Sequence, residues 1–313
     1  MTAIYFLGGL ALLYLGGEVF VRAAAAIGKR LHMSPLVAGL TIVAFATSSP
    51  ELAISLNAAL KDLPGLAVGN VIGSNICNLA LILGIVTIIK PAPVRQTLVR
   101  RDVLVMAITT LLVPGLLLDG ELSRIEGGLL LLCIVAYTVL TVWHARATRS
   151  QRSPDEHSVP LLTENTAFNV LLATGGLLLL VTGSRFFVDA SETIADLIGV
   201  PDGVVGLSAA ALGSSLPELS ASIIAARHGQ PEMAAGNLIG SNIFNLLMIL
   251  GATSVVRPLA MHSVTLVDLA VMIFVTALAL VLMLTRARLR RREGIVLVVT
   301  YSLYMAWLFA TSI

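Results

Sequence analysis

Charge is scarce in this chain: Asp, Glu, Lys and Arg make up only 12% of its 313 residues, roughly half of their share in a soluble domain. Aromatic residues are also few, at 5%, whereas hydrophobic residues reach 57% and the mean hydropathy is +0.94. Apolar stretches about 20 residues long, enough to cross roughly 30 Å of hydrocarbon, recur along the sequence. This composition excludes a soluble domain and predicts an all-α polytopic membrane protein.

Sequence motifs for nucleotide binding, hydrolysis and thiol chemistry are absent. The chain contains no P-loop, HExxH, GxSxG or CxxC pattern, and its five histidines lack metal-ligand spacing. The two cysteines, Cys77 and Cys133, lie far apart in apolar segments and are expected to be packing residues. We therefore expect neither an enzyme nor an ATP-driven pump, and no bound cofactor or nucleic-acid partner.

Ten membrane spans are predicted from the apolar stretches, five on each side of one polar interval. They lie at about 2–25, 35–60, 66–89, 102–119, 125–145, 167–190, 202–227, 233–256, 264–284 and 294–312. The polar interval at 146–166 is predicted to be a cytoplasmic linker between a first five-helix repeat, 1–145, and a second, 167–313. The start of the chain has no basic segment or clear cleavage site, which favours a first span over a signal peptide.

A sixteen-residue phrase occurs twice, at Gly69–Gly84 and Gly236–Gly251, with twelve identical positions. The match extends backwards without a gap at an offset of 167, so that 30 of 69 positions are identical between 16–84 and 183–251. Five spans per half is an odd number, so the second half must enter the membrane in the opposite sense. The sequence therefore predicts inverted-topology repeats, the usual plan of a secondary transporter, with matching alpha repeats at 35–89 and 202–256.

The placement of basic residues predicts the orientation of the chain. With the N-terminus outside, fifteen lysines and arginines fall in inward loops and three in outward loops, which is a strong positive-inside bias. Both termini are therefore predicted to lie outside a prokaryotic inner membrane. The two remaining basic residues, Arg22 and Arg185, each have an acidic residue four positions away, Glu18 and Asp189, and are predicted to form ion pairs within their helices.

Glu51 is predicted to lie near the bilayer midplane, where a carboxylate costs about 2.5–3.5 kcal/mol and requires a partner, a cavity or an ion. Helical spacing puts Thr47, Ser48 and Ser55 on the same stripe as Glu51. Pro50 cannot donate a hydrogen bond and should break or kink the helix, which frees backbone carbonyls. Hydroxyl, carboxylate and carbonyl oxygens are hard ligands, suited to Na⁺ and Ca²⁺.

The second half repeats this pattern around Glu218, with Ser214, Ser215, Pro217 and Ser222 at the equivalent positions. In the following helices polar residues recur at four-residue spacing, as Asn70, Ser74 and Asn78 and as Asn237, Ser241 and Asn245. Buried amides either join helices or bind ions, and their duplication beside the glutamates favours ion binding. The glycines at 65, 69, 73, 236 and 240 are expected to allow close helix approach.

The charge of this predicted site limits its substrates. No basic residue is predicted at the depth of Glu51 and Glu218 to neutralise them. Two carboxylates with neutral oxygens balance one Ca²⁺, or two Na⁺ with a third ion on neutral ligands. Ions that compete for one such site are exchanged, and the lack of thiolate and imidazole ligands argues against zinc and copper.

In its paired Pro-Glu and GNxxGSNxxN motifs the chain resembles the cation/calcium antiporter superfamily, specifically the prokaryotic sodium/calcium exchangers. The resemblance spans essentially the whole chain and implies four ion sites surrounded by the second and third helices of each half. It also implies that the first and sixth helices slide against this core during alternating access. The implied ligands are Glu51, Glu218, Thr47, Ser48, Ser214, Ser215, Ser74, Asn78, Ser241 and Asn245, with the backbone carbonyls of Ala44 and Ala211.

Some positions depart from the family pattern. Ala46 and Ser49 replace a Gly and a Leu that are common in the family, and neither should remove a ligand. Asn245 matches a position that is Asp in some relatives, including the potassium-dependent exchangers, which weakens the case for potassium co-transport. The 146–166 loop is too short for the calcium-sensing domains of animal exchangers.

The leading hypothesis from the sequence is a Na⁺-driven Ca²⁺ antiporter in the lipid bilayer. Ca²⁺/H⁺ exchange stays open as an alternative, because Glu51 and Glu218 could take protons instead of Na⁺. A cation channel would also place carboxylates at the midplane. Channels commonly use several identical subunits, whereas this chain contains both halves of its own pseudo-two-fold, which is compatible with a monomer.

Overall fold

The computed structural model describes residues 2–93, 96–147, 163, 165–197, 212–260, 264–285 and 288–312. Most of them are helical, because a helix satisfies its backbone groups within one apolar segment. The helices of the first half are α1 Thr2–Arg30, α2 Pro35–Ala38, α3 Ala44–Thr47, α4 Ser49–Leu60, α5 Pro64–Ile76, α6 Leu83–Ile89, α7 Gln96–Leu116 and α8 Arg124–Ala147. Those of the second half are α9 Thr166–Leu197, α10 Leu216–Arg227, α11 Pro231–Phe244, α12 Leu250–Val256, α13 Leu266–Thr285 and α14 Arg291–Ser312.

Among the described residues, three short π-helical turns join helices into longer rods. Gly39–Val43 joins α2 to α3, Cys77–Ile82 joins α5 to α6, and Asn245–Ile249 joins α11 to α12. Among the described residues, seven helical rods are long and apolar enough to cross a membrane, and the bent rod from Pro35 to Leu60 makes eight. The predicted span at 102–119 corresponds to α7, which is not among these rods, and the first part of the predicted span at 202–227 lies outside the described residues.

Two rods form the centre of the protein. In the most apolar windows of Pro64–Ile89 and Pro231–Val256, 72% and 78% of the residues are buried, compared with 17% in Arg291–Thr311. The more peripheral helices α8 and α14 instead expose large apolar side chains such as Leu132 and Leu303, as expected for surfaces that face lipid. The two copies of the repeated phrase therefore lie in the core.

Two short antiparallel ribbons connect the halves. Strand β1, Ala92–Pro93, pairs with β4, Arg288–Leu289, and strand β2, Glu121–Leu122, pairs with β3, Leu259–Ala260. A shift of 167 residues converts β1 into β3 and β2 into β4. The internal repeat therefore extends to the loops, well beyond the segment in which the sequences match.

An Asp–Tyr hydrogen bond is also repeated between the last two helices of each half. Tyr137 on α8 donates to Asp102 on α7 at 3.1 Å, and Tyr304 on α14 donates to Asp268 on α13 at 2.8 Å. The two tyrosines are 167 residues apart and the two aspartates 166. These pairs hold the outer helices of each half together.

Close helix contacts depend on glycine, as predicted for positions 236 and 240. A Cβ atom on Gly236 would lie 2.4 Å from the carbonyl oxygen of Leu36, so a side chain there would clash with the backbone before the π-turn. A second glycine seam joins α1 to α9 along their length. It is formed by Gly9, Gly16, Gly176 and Gly183, each of which would bring a Cβ within 3.0 Å of backbone atoms on the opposite helix.

The two predicted intrahelical ion pairs have different outcomes. Arg22 contacts Glu18, as predicted. The prediction for Arg185 and Asp189 is wrong, since the ion pairs among the described residues do not include one between these exposed side chains. The physical reason is their order along the helix: an acid four residues before a base complements the helix dipole, whereas the reverse order opposes it.

Candidate ion-binding site

The bent rod has its break at Ser48, two residues before Pro50. The two segments meet at an angle of 41°, and Ser48 leaves the helical region with φ −83° and ψ 1°. Ser215 has nearly the same conformation in the second half, with φ −88° and ψ 1°. The prolines therefore stand near the start of new helices, where their missing N–H is tolerated, and do not themselves form the break.

The two glutamates lie in the first turns of these new helices, α4 and α10. Glu51 is 1% exposed and Glu218 is fully buried. A helix N-terminus carries a partial positive charge, which stabilises a carboxylate there. The two carboxylates belong to one cluster, because Ser48, three residues before Glu51, contacts Glu218, so a cation bound there would be stabilised by both.

Few hydrogen bonds reach these carboxylates. Ser48 donates to Oε1 of Glu218 at 3.1 Å. Oε2 of Glu218 and both carboxylate oxygens of Glu51 are buried and have no hydrogen-bond partner in the described part of the chain. Buried polar atoms are nearly always hydrogen-bonded, so this group of bare oxygens indicates a site whose ligand supplies the missing interactions.

Each glutamate-bearing helix is held by an asparagine from the next helix. Asn70 donates to Ser55 Oγ at 3.0 Å and to the carbonyl of Glu51 at 3.4 Å. In the second half Asn237 donates to Ser222 Oγ and to the carbonyl of Glu218, at the same two distances. The four-residue spacing of these asparagines predicted polar stripes, but their role as braces of the glutamate helices depends on contacts with another helix and was missed.

The same asparagines connect the two halves. Thr47 donates to Oδ1 of Asn237 at 3.2 Å, and its repeat equivalent Ser214 donates to Oδ1 of Asn70 at 3.4 Å. Ser74 and Ser214 are a further 3.5 Å contact across the halves. Predicted ligands from both repeats, Thr47, Ser74 and Ser214 among them, therefore meet in one cluster at the interface between the halves.

Two π-turns lie beside this cluster, at equivalent places in the two repeats. Asn78 is the second residue of one turn and Asn245 the first residue of the other. Neither amide makes a hydrogen bond within the described residues, nor does the buried hydroxyl of Ser241. π-turns are frequent at functional sites. They were missed by the sequence analysis because nothing in the local sequence distinguishes them from α-helix.

Of the two backbone carbonyls in the predicted ligand set, only one can be described. The carbonyl of Ala44 accepts a hydrogen bond from the backbone N–H of Ser48 at 3.0 Å and keeps a second lone pair. Ala211 lies outside the described residues. All the other predicted ligands are buried and belong to the elements that meet at the cluster.

The donor atoms of the cluster are carboxylate, hydroxyl, amide and carbonyl oxygens. Across the described residues, no group of three or more His, Cys, Asp or Glu side chains is placed to hold a metal. A set of mostly neutral oxygens with two carboxylates suits hard cations such as Na⁺ and Ca²⁺.

An open cavity of about 670 Å³ gives access to the cluster from one side of the protein. Its wall runs from Lys61 and Asn57 at the end of α4 to Pro50, Ser214 and Pro217 beside the glutamates. Helix α9 contributes the opposite wall, including Arg185 and Asp189. The cavity therefore leads from the end of α4 to the break between the helices.

The apolar helical fold and the oxygen-lined cluster at its centre are those of a membrane protein that transports cations. The family model described as "Sodium/calcium exchanger protein" matches residues 1–143 and again residues 168–310. The chain therefore belongs to the sodium/calcium exchanger family, and one family model describes both of its halves.

Similar proteins agree with this membership over the full length of the chain. The putative antiporter CaxA of Alkalimonas amylolytica is 36% identical, with 99% of each chain covered. The sodium/calcium exchanger MaX1 of Methanosarcina acetivorans is 32% identical, with 96% of each covered. The solved structure of the sodium-calcium exchanger NCX_Mj, soaked with Na⁺ and Ca²⁺, has a TM-score of 0.82 at 31% identity and 97% coverage of both chains.

Proposed function

We propose that this protein is a secondary antiporter that exchanges Na⁺ for Ca²⁺ by alternating access at the cluster around Glu51 and Glu218. The observation that carries the proposal is the group of buried carboxylate, hydroxyl and amide oxygens that lack hydrogen-bond partners in the part of the chain that the structure describes. An empty site of this kind is unfavourable in the membrane interior. The bound cation relieves that cost, so one ion leaves readily only when another replaces it.

The two carboxylates set the charge of the bound state. One Ca²⁺ neutralises Glu51 and Glu218, and two Na⁺ do the same while a third occupies neutral oxygens such as those of Asn78 and Asn245. An exchange of three Na⁺ for one Ca²⁺ moves one net charge per cycle. The membrane potential then contributes about 2.3 kcal/mol per 100 mV, and an inward Na⁺ gradient expels Ca²⁺.

The proposal includes ten spans in two inverted repeats, with both termini outside the inner membrane. The ribbons support this arrangement. Each ribbon joins a loop of the first half to a loop of the second, so those two loops must lie on the same side of the membrane. Ten spans with inverted halves meet this condition for both ribbons, and the excess of basic residues in the inward loops gives the orientation.

In this orientation the open cavity faces outward and the structure represents an outward-open state. Helices α1 and α9 pack on each other through the glycine seam and line the route to the site. The resemblance to the exchanger family supports a mechanism in which these two helices slide against the core. The cations Na⁺ and Ca²⁺ would bind the same cluster from opposite sides of the membrane in turn.

The proposal is tested by ⁴⁵Ca²⁺ uptake into proteoliposomes that are loaded with Na⁺ and diluted into Na⁺-free buffer. We expect uptake to require internal Na⁺ and to increase with an inside-positive potential set by an ionophore. Uptake driven by an acidic interior without Na⁺ would instead establish Ca²⁺/H⁺ exchange at the same site. Conduction without any counter-ion would establish a channel.

The same assay tests the two carboxylates. We expect Glu51→Gln and Glu218→Gln each to abolish exchange, because Ca²⁺ would then keep an uncompensated charge in a buried site. Gel filtration would show that both variants remain folded, since the substitution preserves the shape of the side chain. Near-normal exchange in both variants would contradict the site assignment.

A further inference from the structure

A small charged set connects α1 to the core at the inner end of the protein. His228, at the end of α10, contacts both carboxylate oxygens of Glu18 at 2.9 Å. Arg22, one turn further along α1, also contacts Glu18. The three side chains are only 21–27% exposed. We call them the inner charged set, and in this structure the set is closed.

The residues at the equivalent repeat positions have the same chemistry at the outer end. A shift of 167 residues relates Glu18 to Arg185, Arg22 to Asp189 and His228 to Lys61. Each set thus has one acid and one arginine four residues apart on the sliding helix, with a basic residue at the end of the glutamate-bearing core helix. In the outer charged set the acid and the arginine have exchanged places, and Lys61 stands in place of the histidine.

The outer charged set is open in this structure. Lys61, Arg185 and Asp189 are all exposed and all line the outward cavity. Within the portion of the chain that the structure describes, none of the three belongs to an ion pair. Asp189 could contact Lys61 only if the cavity narrowed, because the two stand on its opposite walls, whereas Arg185 lies on the same helix as Asp189.

The core residues beside the inner set are covered by the sliding helix, whereas those beside the outer set are open to the cavity. On the inner side α1 covers Ser220 and Ile224: the Ser220 hydroxyl donates to the carbonyl of Leu13 at 2.6 Å, and Ile224 is 3% exposed. A Cβ on Gly17 would lie 2.6 Å from Ser220 Oγ and 3.2 Å from Ile224. The repeat equivalents of Ser220 and Ile224 are Ala53 and Asn57, which line the open cavity.

We propose that the inner and outer charged sets are alternative latches, so that contact of Glu18 with His228 holds the outward-open state and contact of Asp189 with Lys61 holds the inward-open state. The inference rests on the proposed alternating access and adds the residues that set its balance. Each latch joins a sliding helix to the end of a core helix. Movement of α1 and α9 that closes one latch opens the other.

The test uses two single-cysteine probes in a Cys133→Ser background, in which Cys77 remains buried. Asn57→Cys reports the outer cavity and Ile224→Cys reports the covered inner side. Labelling by a water-soluble maleimide is timed on the full-length protein in detergent with Na⁺. Glu18→Gln should increase the labelling rate of the Ile224→Cys probe by about fivefold or more, which is the usual lower size of a coupling between states.

Asp189→Asn is the matched control, since it makes the same kind of change at the outer latch. In the Asp189→Asn variant, the Ile224→Cys probe should be labelled no faster than in the Cys133→Ser protein with an intact outer set. The labelling rate of the Asn57→Cys probe should not fall. His228→Gln should reproduce the effect of Glu18→Gln, and the double variant should match either single one, because the two residues form one link.

Equal labelling of the Ile224→Cys probe with and without Glu18→Gln would overturn the proposal, as would an equal increase in the Asp189→Asn variant. Additive effects of Glu18→Gln and His228→Gln would also overturn it. The readout needs no transport, so it is independent of the coupling ion. Failure of Na⁺-dependent uptake would refute the proposed function while labelling would still show whether the two latches alternate.

Discussion

Three asparagines on one rod, Asn70, Asn75 and Asn78, should respond differently to the same substitution. All three are buried, at 6%, 2% and 1% exposure. Asn70 makes two donated hydrogen bonds and accepts a third from the other half. The side-chain atoms of Asn75 and Asn78 have no hydrogen-bond partner among the described residues. Substitution of the three asparagines therefore distinguishes three roles: bracing by Asn70, packing by Asn75 and ion binding by Asn78.

For Asn70→Ala we expect a loss of about 2 kcal/mol of stability. Hydrogen bonds between membrane helices contribute about 0.6 kcal/mol on average and up to about 1.7, and Asn70 loses three of them. The carbonyl of Glu51 loses its brace with them, so Ca²⁺ affinity should fall as well. Both effects have the same origin, because the brace holds the helix that carries the carboxylate.

Asn75→Ala should change stability by less than about 1 kcal/mol. A buried amide without partners is itself unfavourable by about 1–3 kcal/mol, and its removal offsets the packing that is lost. Asn78→Ala should likewise leave stability nearly unchanged, but it removes a proposed ligand oxygen and should weaken Ca²⁺ binding by roughly tenfold, or about 1.4 kcal/mol.

Thermal unfolding in detergent and ⁴⁵Ca²⁺ binding on the same preparations would measure the two effects separately. A loss of stability in Asn75→Ala equal to that in Asn70→Ala would refute the argument from hydrogen bonds. Unchanged Ca²⁺ affinity in Asn78→Ala would remove that residue from the site. The native protein is the reference for both measurements, and unfolding is followed without Ca²⁺ so that weaker binding does not itself lower the stability.

Two further pairs of variants test the scaffold by thermal unfolding. Gly9→Ala should cost about 1–3 kcal/mol, because its Cβ would lie 2.7 Å from the backbone nitrogen of Phe187, whereas Gly8→Ala meets no atom within 4 Å and should be neutral or slightly stabilising. Equal stabilities of these two variants would contradict the close contact of α1 with α9. Tyr137→Phe should lower the stability more than Tyr304→Phe does. Tyr137 donates a hydrogen bond to the buried Asp102, whereas Asp268, which accepts from Tyr304, also accepts hydrogen bonds from Thr265. The opposite order would show that burial of the acid does not set the cost.

The sequence allowed prediction of the elements that carry the chemistry. The duplicated phrase and the Pro-Glu pairs located the buried glutamates, because a carboxylate in an apolar segment has few structural explanations. Four-residue spacing predicted that Ser74 and Asn78 lie on one polar line of their helix, and Ser74 contacts Ser214 of the other half. Glu18 and Arg22 were paired correctly because the contact lies within one helix and depends only on local geometry.

The features that were missed depend on contacts between distant segments. The bracing role of Asn70 requires the position of Ser55 on another helix, and the link from Glu18 to His228 joins residues that are 210 positions apart. The break at Ser48 differs from the expected break at Pro50, since proline fits the first turn of the new helix and the bend occurs just before it. The π-turns arise from packing in the core and have no local signature.

The two halves are alike at the ion cluster and unlike along the access route. Asn70 and Asn237 make the same pairs of bonds at the same distances, so the braces do not depend on which side is open. By contrast, Ser48 donates to Glu218, whereas within the described residues its equivalent Ser215 and both carboxylate oxygens of Glu51 have no hydrogen-bond partner. The carboxylate contacts therefore share the asymmetry of the cavity and the charged sets, whereas the braces do not. In the proposed alternating access the two repeats exchange their roles, so we expect the braces to persist during transport and the hydroxyl contacts to exchange. The cluster would then stay assembled while movement of α1 and α9 changes the side of the membrane to which it is open.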